Sequence, residues 1–154
     1  MTRTPLILIA MLGSLALLAG AFGFQYLGGM APCHLCLLQR WPHAAAIAIG
    51  LVAVSSSRGR AELAAAGALT VLIGAGIAFY HTGVERHWWL GPQTCAGQDI
   101  GTVSADDLLN AILTAPIVQC DQVAWSMAGL SMASWNGLAS LVLAAIWIAA
   151  IRRD

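Results

Sequence analysis

The sequence predicts an all-α membrane protein: a bundle of four transmembrane helices with a long loop that carries a short surface helix. Of its 154 residues, 59% are hydrophobic and only 9% are charged, whereas a soluble domain carries about 25% charged residues. The apolar residues fall in four long stretches, and a helix of about 20 apolar residues crosses a bilayer. Helices are expected because they satisfy their backbone hydrogen bonds internally in lipid. The formal net charge is zero and lysine is absent, which argues against nucleic-acid binding.

The spans are expected to form one membrane domain, residues 1–154. They are predicted at about 6–27, 36–56, 63–81 and 132–151, with a loop at about 82–131 before the last one. The second apolar run begins only at Trp41, so this span has to take residues from before Arg40. The third contains Gly67, Gly74 and Gly76, and small residues of this kind let transmembrane helices approach closely.

The long loop contains one helix signal. Ser104 is suited to capping a helix, and the acidic residues Asp106 and Asp107 favour the first turn. Apolar residues then recur at i, i+1, i+4 and i+5 from Leu108, so one face is apolar. We interpret this segment as a helix that lies on the membrane surface. An ordinary loop helix packed on the protein is the alternative.

Arginine placement predicts the orientation of the bundle, because cytoplasmic loops are rich in basic residues. Arg40 and Arg86 fall on one side of the membrane. Five arginines fall on the other: Arg3, Arg58, Arg60, Arg152 and Arg153. We therefore expect a bacterial inner-membrane protein with both termini and the 55–62 loop in the cytoplasm. All four cysteines then face the oxidising periplasm.

The N-terminal segment also resembles a secretory signal. It has Arg3, an apolar core and the sequence Ala19-Gly20-Ala21, which matches a cleavage site of the A-x-A type. The apolar run continues past this site to Leu27, which favours a retained helix.

Cys33 and Cys36 form a C-x-x-C pair at the start of the second span. Pro32 is suited to the beginning of a helix, which would place both sulfurs in its first turn, where the helix dipole favours the thiolate. This spacing is typical of a reversible redox switch. Cys95 and Cys120 form a second pair that can feed the first. A structural disulfide that staples the loop, worth roughly 3 kcal/mol on a chain-entropy estimate, is the alternative.

A metal site is not expected. Cys95 and Cys120 are 25 residues apart and neither has a second ligand at the short spacing of zinc sites. Haem attachment requires C-x-x-C-H, and Leu37 occupies the last position. Four cysteines allow three disulfide connectivities, and the sequence leaves the choice among them open.

Arg40 follows Cys36 by four residues and so lies one helical turn deeper on the same face. A guanidinium at the membrane boundary is costly unless it reaches water or has a partner. It either anchors the span beside Trp41 or stabilises a thiolate or a reduced electron acceptor. The chain has no nucleotide-binding motif, so a quinone dissolved in the bilayer is the acceptor that suits the site.

Three segments carry a family resemblance. They are Cys33–Arg40; Tyr80–Glu85 with Trp88, Gly91, Pro92 and Cys95; and Cys120-Asp121 with Trp125, Gly129–Met132 and Trp135-Asn136. In this order they resemble the disulfide bond formation protein B (DsbB) family, membrane oxidants that regenerate the periplasmic oxidant DsbA. The resemblance covers essentially the whole chain. It implies a quinone-dependent protein-disulfide oxidoreductase.

The resemblance also implies a role for each matching residue. Cys95 corresponds to the cysteine attacked by the reduced thioredoxin-fold partner, and Cys120 to its mate, which passes the oxidising equivalents to Cys33. Cys36 corresponds to the cysteine that faces the quinone and forms a charge-transfer complex with it. Arg40 corresponds to the arginine that supports this complex.

Two choices stay open at this point. His81 falls where the family can place a quinone-proximal histidine, but an interfacial histidine paired with Glu85 is the alternative. The quinone is ubiquinone or menaquinone, and the sequence does not distinguish them.

The competing function is a non-catalytic membrane scaffold with two structural disulfides. A small transporter is disfavoured because the spans lack internal charges of the usual pathway kind.

Overall fold

The computed structural model describes residues 2–56, 58–92 and 120–153. Within these ranges the elements are α1 (Arg3–Tyr26), α2 (His34–Leu38), α3 (Arg40–Ser55), α4 (Arg60–Glu85), β1 (Ser126–Met127), β2 (Leu130–Ser131) and α5 (Met132–Ile151). The strands form a small antiparallel hairpin directly before α5. Cys95 and the predicted surface helix at 104–113 lie outside the described residues.

In the part of the chain that the structure describes, four helical stretches are long and apolar enough to cross a membrane: α1, the stretch His34–Ser55 that contains α2 and α3, α4, and α5. The predicted all-α membrane fold with four spanning helices is therefore confirmed. The helices are apolar on nearly every face, as expected for helices whose outer surface contacts lipid rather than water.

The second span is interrupted at Gln39, between α2 and α3. Pro42 is the cause, because it has no N–H to donate to the carbonyl of Leu38 and its ring crowds the preceding turn. The break does not expose the chain, since Gln39, Pro42 and His43 are all buried. The break therefore places Gln39, Pro42 and His43 in the interior of the bundle, next to the C-x-x-C pair.

Helix α4 continues to Glu85, four residues beyond the predicted end of the third span. Its last turn is closed by Arg86, which donates its backbone N–H to the carbonyl of Thr82 at 3.0 Å. Gly83 lies in this turn because the indole of Trp89 packs on it, and a Cβ at Gly83 would lie 2.0 Å from the ring. The extension carries His81 and Glu85 on one helix, one turn apart.

Small residues bring the helices together in the bundle. A Cβ at Gly67 would lie 2.7 Å from the ring of Trp147, which is fully buried between α4 and α5. A Cβ at Gly74 would lie 3.1 Å from Pro42. The packing role predicted for these two glycines agrees with the structure. Gly76 differs, because its Cβ position has no described neighbour within 4 Å.

The two ends of the bundle have different chemistry. At one end, Arg3 donates from Nε to the carbonyl of Ala150 at 3.1 Å. Arg60 at the same end donates from Nε to the carbonyls of Ala53 and Ser56 at 3.1 and 2.6 Å. These guanidiniums satisfy carbonyls at helix C-termini, where positive charge is favourable. The opposite end contains Cys33, Cys36 and Cys120.

Candidate functional site

Cys33 and Cys36 lie at the N-terminus of α2. Cys33 is the N-cap, and its sulfur accepts the backbone N–H of Cys36 at 3.2 Å. Both residues are free thiols, and their sulfurs are 2.7 Å apart, with Cys33 donating to Cys36. Cys33 is buried and only 5% exposed, whereas Cys36 is half-buried. The C-x-x-C spacing therefore produces two inequivalent sulfurs in direct contact.

The hydrogen-bond geometry of this pair assigns Cys33 as the donor and Cys36 as the acceptor. The hydrogen bond to Cys36 raises the pKa of the Cys33 thiol well above its ordinary value, and burial raises it further. Cys36 is the acceptor of that hydrogen bond and sits in the first turn of the helix, where backbone N–H groups favour negative charge. The geometry therefore favours Cys36 as the sulfur that carries charge.

Cys120 lies against this pair. It is buried, with only 2% of its surface exposed, in one cluster with Cys33, Leu35 and Val84, and Cys36 packs on the same cluster. Cys120 is disulfide-bonded, and Cys95 lies outside the described residues. The later part of the long loop thus brings a third sulfur to the C-x-x-C pair.

Arg40 points from α3 toward α1. Its Nη1 donates to the side-chain oxygen of Gln25 at 2.6 Å, and the guanidinium lies 4.8 Å from the ring centre of Phe22. Its Nη2 approaches the carbonyl of Ala21 at 3.5 Å. The Nε atom is buried and has no hydrogen-bond partner among the described residues. Arg40 is thus held by α1 and keeps one N–H available.

A cavity of about 390 Å³ opens between α1, the C-x-x-C segment and α5. Its walls are mainly apolar and include Leu17, Phe24 and Ala139. The polar groups that converge on it are Cys33, Cys36, Gln39, Arg40, His43, His81, Glu85 and Asn136. An apolar cavity with a few convergent polar groups is the form that small-molecule sites usually take.

His81 projects from α4 into the cysteine cluster. Its Nε2 lies 3.6 Å from the Cys33 sulfur and 3.9 Å from a carboxylate oxygen of Glu85. The pairing with Glu85 that the sequence suggested is therefore present, but the ring is buried, with 3% exposed, rather than interfacial. Its Nδ1 lies 2.8 Å from the side-chain amide of Gln39.

Sequence reasoning missed three residues of this site: Gln39, His43 and Asn136. Asn136 donates to the side-chain oxygen of Gln39 at 2.7 Å and lies 2.9 Å from Nε2 of His43. The available signal was that each is a polar side chain inside a predicted span, where polar groups are costly unless they find partners. Which partners they find depends on how the helices face one another.

Within the described residues, Cys33, Cys36 and His81 bring their ligand atoms within 4.8 Å of one another. The two sulfurs are 2.7 Å apart, whereas two sulfurs on one tetrahedral zinc, at bonds of about 2.3 Å, are separated by about 3.8 Å. The pair would have to open before both sulfurs bound one ion. The expectation that the site takes no metal stays a prediction.

The fold and the site define a multi-pass helical membrane protein whose thiols meet beside an apolar cavity. A family model described as "Disulfide bond formation protein DsbB" matches residues 3–150. Three curated relatives are each named as a disulfide bond formation protein B. The one from Polaromonas sp. strain JS666 is 30% identical over 161 residues, with 99% of this chain and 92% of the relative covered. The one from Herminiimonas arsenicoxydans is 32% identical over 145 residues, with 91% and 89% covered. The one from Stutzerimonas stutzeri strain A1501 is 30% identical over 165 residues, with 97% and 95% covered.

The chain belongs to the DsbB family. It is a membrane protein of disulfide bond formation and a disulfide-forming oxidoreductase, and it acts with a partner in the periplasmic disulfide pathway.

Proposed function

We propose that this protein is an inner-membrane thiol oxidase. It reoxidises a periplasmic thioredoxin-fold dithiol of the DsbA kind and passes the electrons to a membrane quinone. One observation carries the proposal: buried Cys120 packs on the Cys33–Cys36 pair at the mouth of a cavity that Arg40 also lines. This packing supports a relay in which a disulfide, a dithiol switch and an electron acceptor act in series.

The thiol steps follow from this order. A partner thiolate attacks the Cys95–Cys120 disulfide at Cys95, and the electron pair of the broken bond leaves on Cys120. The Cys120 thiolate attacks Cys33, which breaks the Cys33–Cys36 disulfide and releases Cys36 as a thiolate. Each step replaces one S–S bond by another, so two electrons are delivered to Cys36. The first turn of α2 stabilises the anion that results.

The residues around the cavity fit a quinone. The walls suit an apolar ring and tail, and the guanidinium of Arg40 lines the cavity, where its positive charge would stabilise a reduced ring. Cys36 and His81 line the same cavity and complete the polar end. A bound quinone supplies the two-electron acceptor that the thiols lack. A strong dithiol oxidant of the DsbA type, at about −120 mV, needs such an acceptor to be regenerated.

The orientation proposed for the protein places the cysteines in the periplasm. Arg3 and Arg60 cap helix ends at one end of the bundle. Cys33, Cys36 and Cys120 gather at the other end. The excess of arginine at the first end supports a cytoplasmic location for it.

The direct test is an assay with purified protein, a reduced thioredoxin-fold dithiol and a soluble quinone, followed by quinone absorbance. We expect dithiol-dependent loss of the oxidised quinone signal with the parent protein and none with Cys36→Ser. A matched control is Ser14→Ala, which alters a buried hydroxyl away from the cavity and should retain turnover. A scaffold with structural disulfides would show no quinone reduction in any variant, and that result would refute the proposal.

A further inference from the structure

Four polar side chains from three helices form a continuous network between the cysteines and the centre of the bundle. The members are His43 and Gln39 from the second span, Asn136 from α5 and His81 from α4; the contacts measure 2.9 Å (His43–Asn136), 2.7 Å (Asn136–Gln39) and 2.8 Å (Gln39–His81). Gln39, His43 and His81 are buried. We call this set the amide–imidazole network.

The direction of each hydrogen bond in the network is determined by its neighbours. Gln39 Nε2 lies 3.2 Å from the backbone carbonyl of Leu35, which only accepts, so this atom is the amide nitrogen. Its second N–H faces Nδ1 of His81 at 2.8 Å, so Nδ1 is the acceptor and carries no proton. The Gln39 oxygen accepts from Asn136, and the Asn136 oxygen in turn accepts from Nε2–H of His43.

The state of the His81 ring follows from this direction. A neutral ring without a proton on Nδ1 carries it on Nε2. Nε2 faces the Cys33 sulfur at 3.6 Å and a Glu85 carboxylate oxygen at 3.9 Å, both of which can accept its proton, and the backbone of Cys120 is a further acceptor beside the ring. A doubly protonated ring would set Nδ1–H against the amide protons of Gln39. The groups on both sides of the ring therefore favour the same tautomer, which carries its proton on Nε2.

The same direction continues through the thiols. Cys33 accepts from His81 and donates to Cys36 at 2.7 Å. Every donor in the series, from His43 to Cys33, therefore points toward Cys36. Hydrogen bonds aligned in one direction polarise one another, which stabilises negative charge on the last acceptor, Cys36.

We propose that Gln39, held by Leu35 and Asn136, is a positioning residue that fixes His81 as an Nε2–H donor to the Cys33 sulfur. This role rests on the proposed thiol oxidase function and deepens it. After the partner's second thiolate displaces Cys95 from the mixed disulfide, the Cys95 thiolate attacks Cys120 of the Cys33–Cys120 disulfide. The Cys95–Cys120 bond forms, and the electron pair of the broken bond leaves on Cys33. The Nε2–H of His81 stabilises that anion. His43 and Asn136 act through Gln39 and do not touch the sulfur.

The test is heteronuclear NMR of histidine-labelled, reduced, full-length protein in detergent micelles, with the His81 signal assigned by its loss in His81→Asn. We expect the parent protein to show a protonated Nε2 and an unprotonated Nδ1. Gln39→Met removes the donor and should give a mixture of both tautomers. Gln39→Glu replaces the donor by an acceptor and should place a proton on Nδ1. Thr82→Val is the matched control, because Thr82 begins the last turn of α4 and its hydroxyl bonds Ser134 rather than the network; it should keep the parent tautomer.

Turnover provides the second readout. We expect Gln39→Met to lower kcat about threefold with KM for the dithiol partner unchanged, and Thr82→Val to leave both at parent values. A proton on Nδ1 in the parent protein, or the same single tautomer in Gln39→Met, would overturn the proposal, as would an altered tautomer with unchanged kcat. The tautomer is measured without quinone or partner, so this result does not depend on whether the protein is a thiol oxidase.

Discussion

The two thiols of the C-x-x-C pair differ in burial and in charge. Cys33 is buried and caps α2 by accepting the backbone N–H of Cys36, whereas Cys36 is half-buried and accepts the thiol proton of Cys33. This asymmetry is established by three residues of local sequence, because Pro32 precedes the helix and the C-x-x-C spacing returns the second sulfur to the N-cap. It predicts different reactivity for the two sulfurs.

In the reduced protein we expect Cys36 to be alkylated faster than Cys33. The raised pKa of the Cys33 thiol and its burial both oppose reaction there, since only the thiolate attacks. Brief treatment with iodoacetamide near neutral pH, followed by peptide mass spectrometry, measures the ratio directly. Denatured protein is the control and should show similar labelling of both residues. Preferential labelling of Cys33 in the native protein would contradict the assignment of the proton.

Arg40 is expected to be needed for electron transfer to the acceptor. Its position depends on a hydrogen bond to Gln25 and a stacking contact with Phe22, and a lysine cannot reproduce both contacts while leaving a second N–H free. We expect Arg40→Met to lower quinone-linked turnover about tenfold or more, since hydrogen bonds to charged groups contribute about 1.5–3 kcal/mol. The turnover of Arg40→Lys should lie between that of the parent protein and that of Arg40→Met. The control is Arg58→Met, at the exposed opposite end, and loss of turnover there as well would point to a general effect of charge.

At the scale of the helices, close approach depends on where glycine lies. Gly67 allows α4 to lie against the Trp147 ring of α5, and Gly74 allows it to lie against Pro42 of the second span. Gly76 is in the same helix but its Cβ position is open among the described residues. The three glycines are indistinguishable by residue type, so their different roles were not apparent in the sequence.

This difference gives a matched pair of variants. Gly67→Ala places a Cβ 2.7 Å from a buried indole and should lower the free energy of unfolding by about 1–3 kcal/mol, the usual cost of overpacking. Gly76→Ala should be neutral or stabilise by up to about 1 kcal/mol, because alanine is the better helix former. Thermal unfolding in detergent, followed by circular dichroism, compares the two. Equal midpoints would mean that α4 and α5 do not pack through Gly67.

At the scale of the whole molecule, the sequence predicted the fold well and the site in part. Long apolar runs specify helices that span, and the cysteine spacing and Arg40 identified the end of the bundle where the chemistry lies. The contact between Gln39 and Asn136 was not predictable in this way, because these residues are 97 positions apart. Their meeting depends on the rotation of each helix, and helices that are apolar on all sides do not encode that rotation as an amphipathic pattern.

The orientation in the membrane is a separate prediction. We expect a cysteine introduced at Arg58, in a background where the native cysteines are serine, to be protected from a membrane-impermeant maleimide added to intact spheroplasts. A cysteine introduced at Trp88 should be labelled, since Trp88 is exposed at the cysteine end of α4. Both should react after the membrane is permeabilised. The reverse pattern would place the active thiols in the cytoplasm.

The central claim is that electrons reach Cys36 by attack of Cys120 on Cys33, and the most direct measurement is the disulfide connectivity that the parent protein reaches when no quinone is present. Quinone-free protein is mixed with one equivalent of a reduced thioredoxin-fold dithiol, quenched with acid and mapped by mass spectrometry. The account predicts that a Cys33–Cys120 disulfide accumulates with Cys36 as a free thiol, because Cys36 then has no electron acceptor. Recovery of Cys33 as a free thiol, with Cys120 bonded only elsewhere, would contradict it.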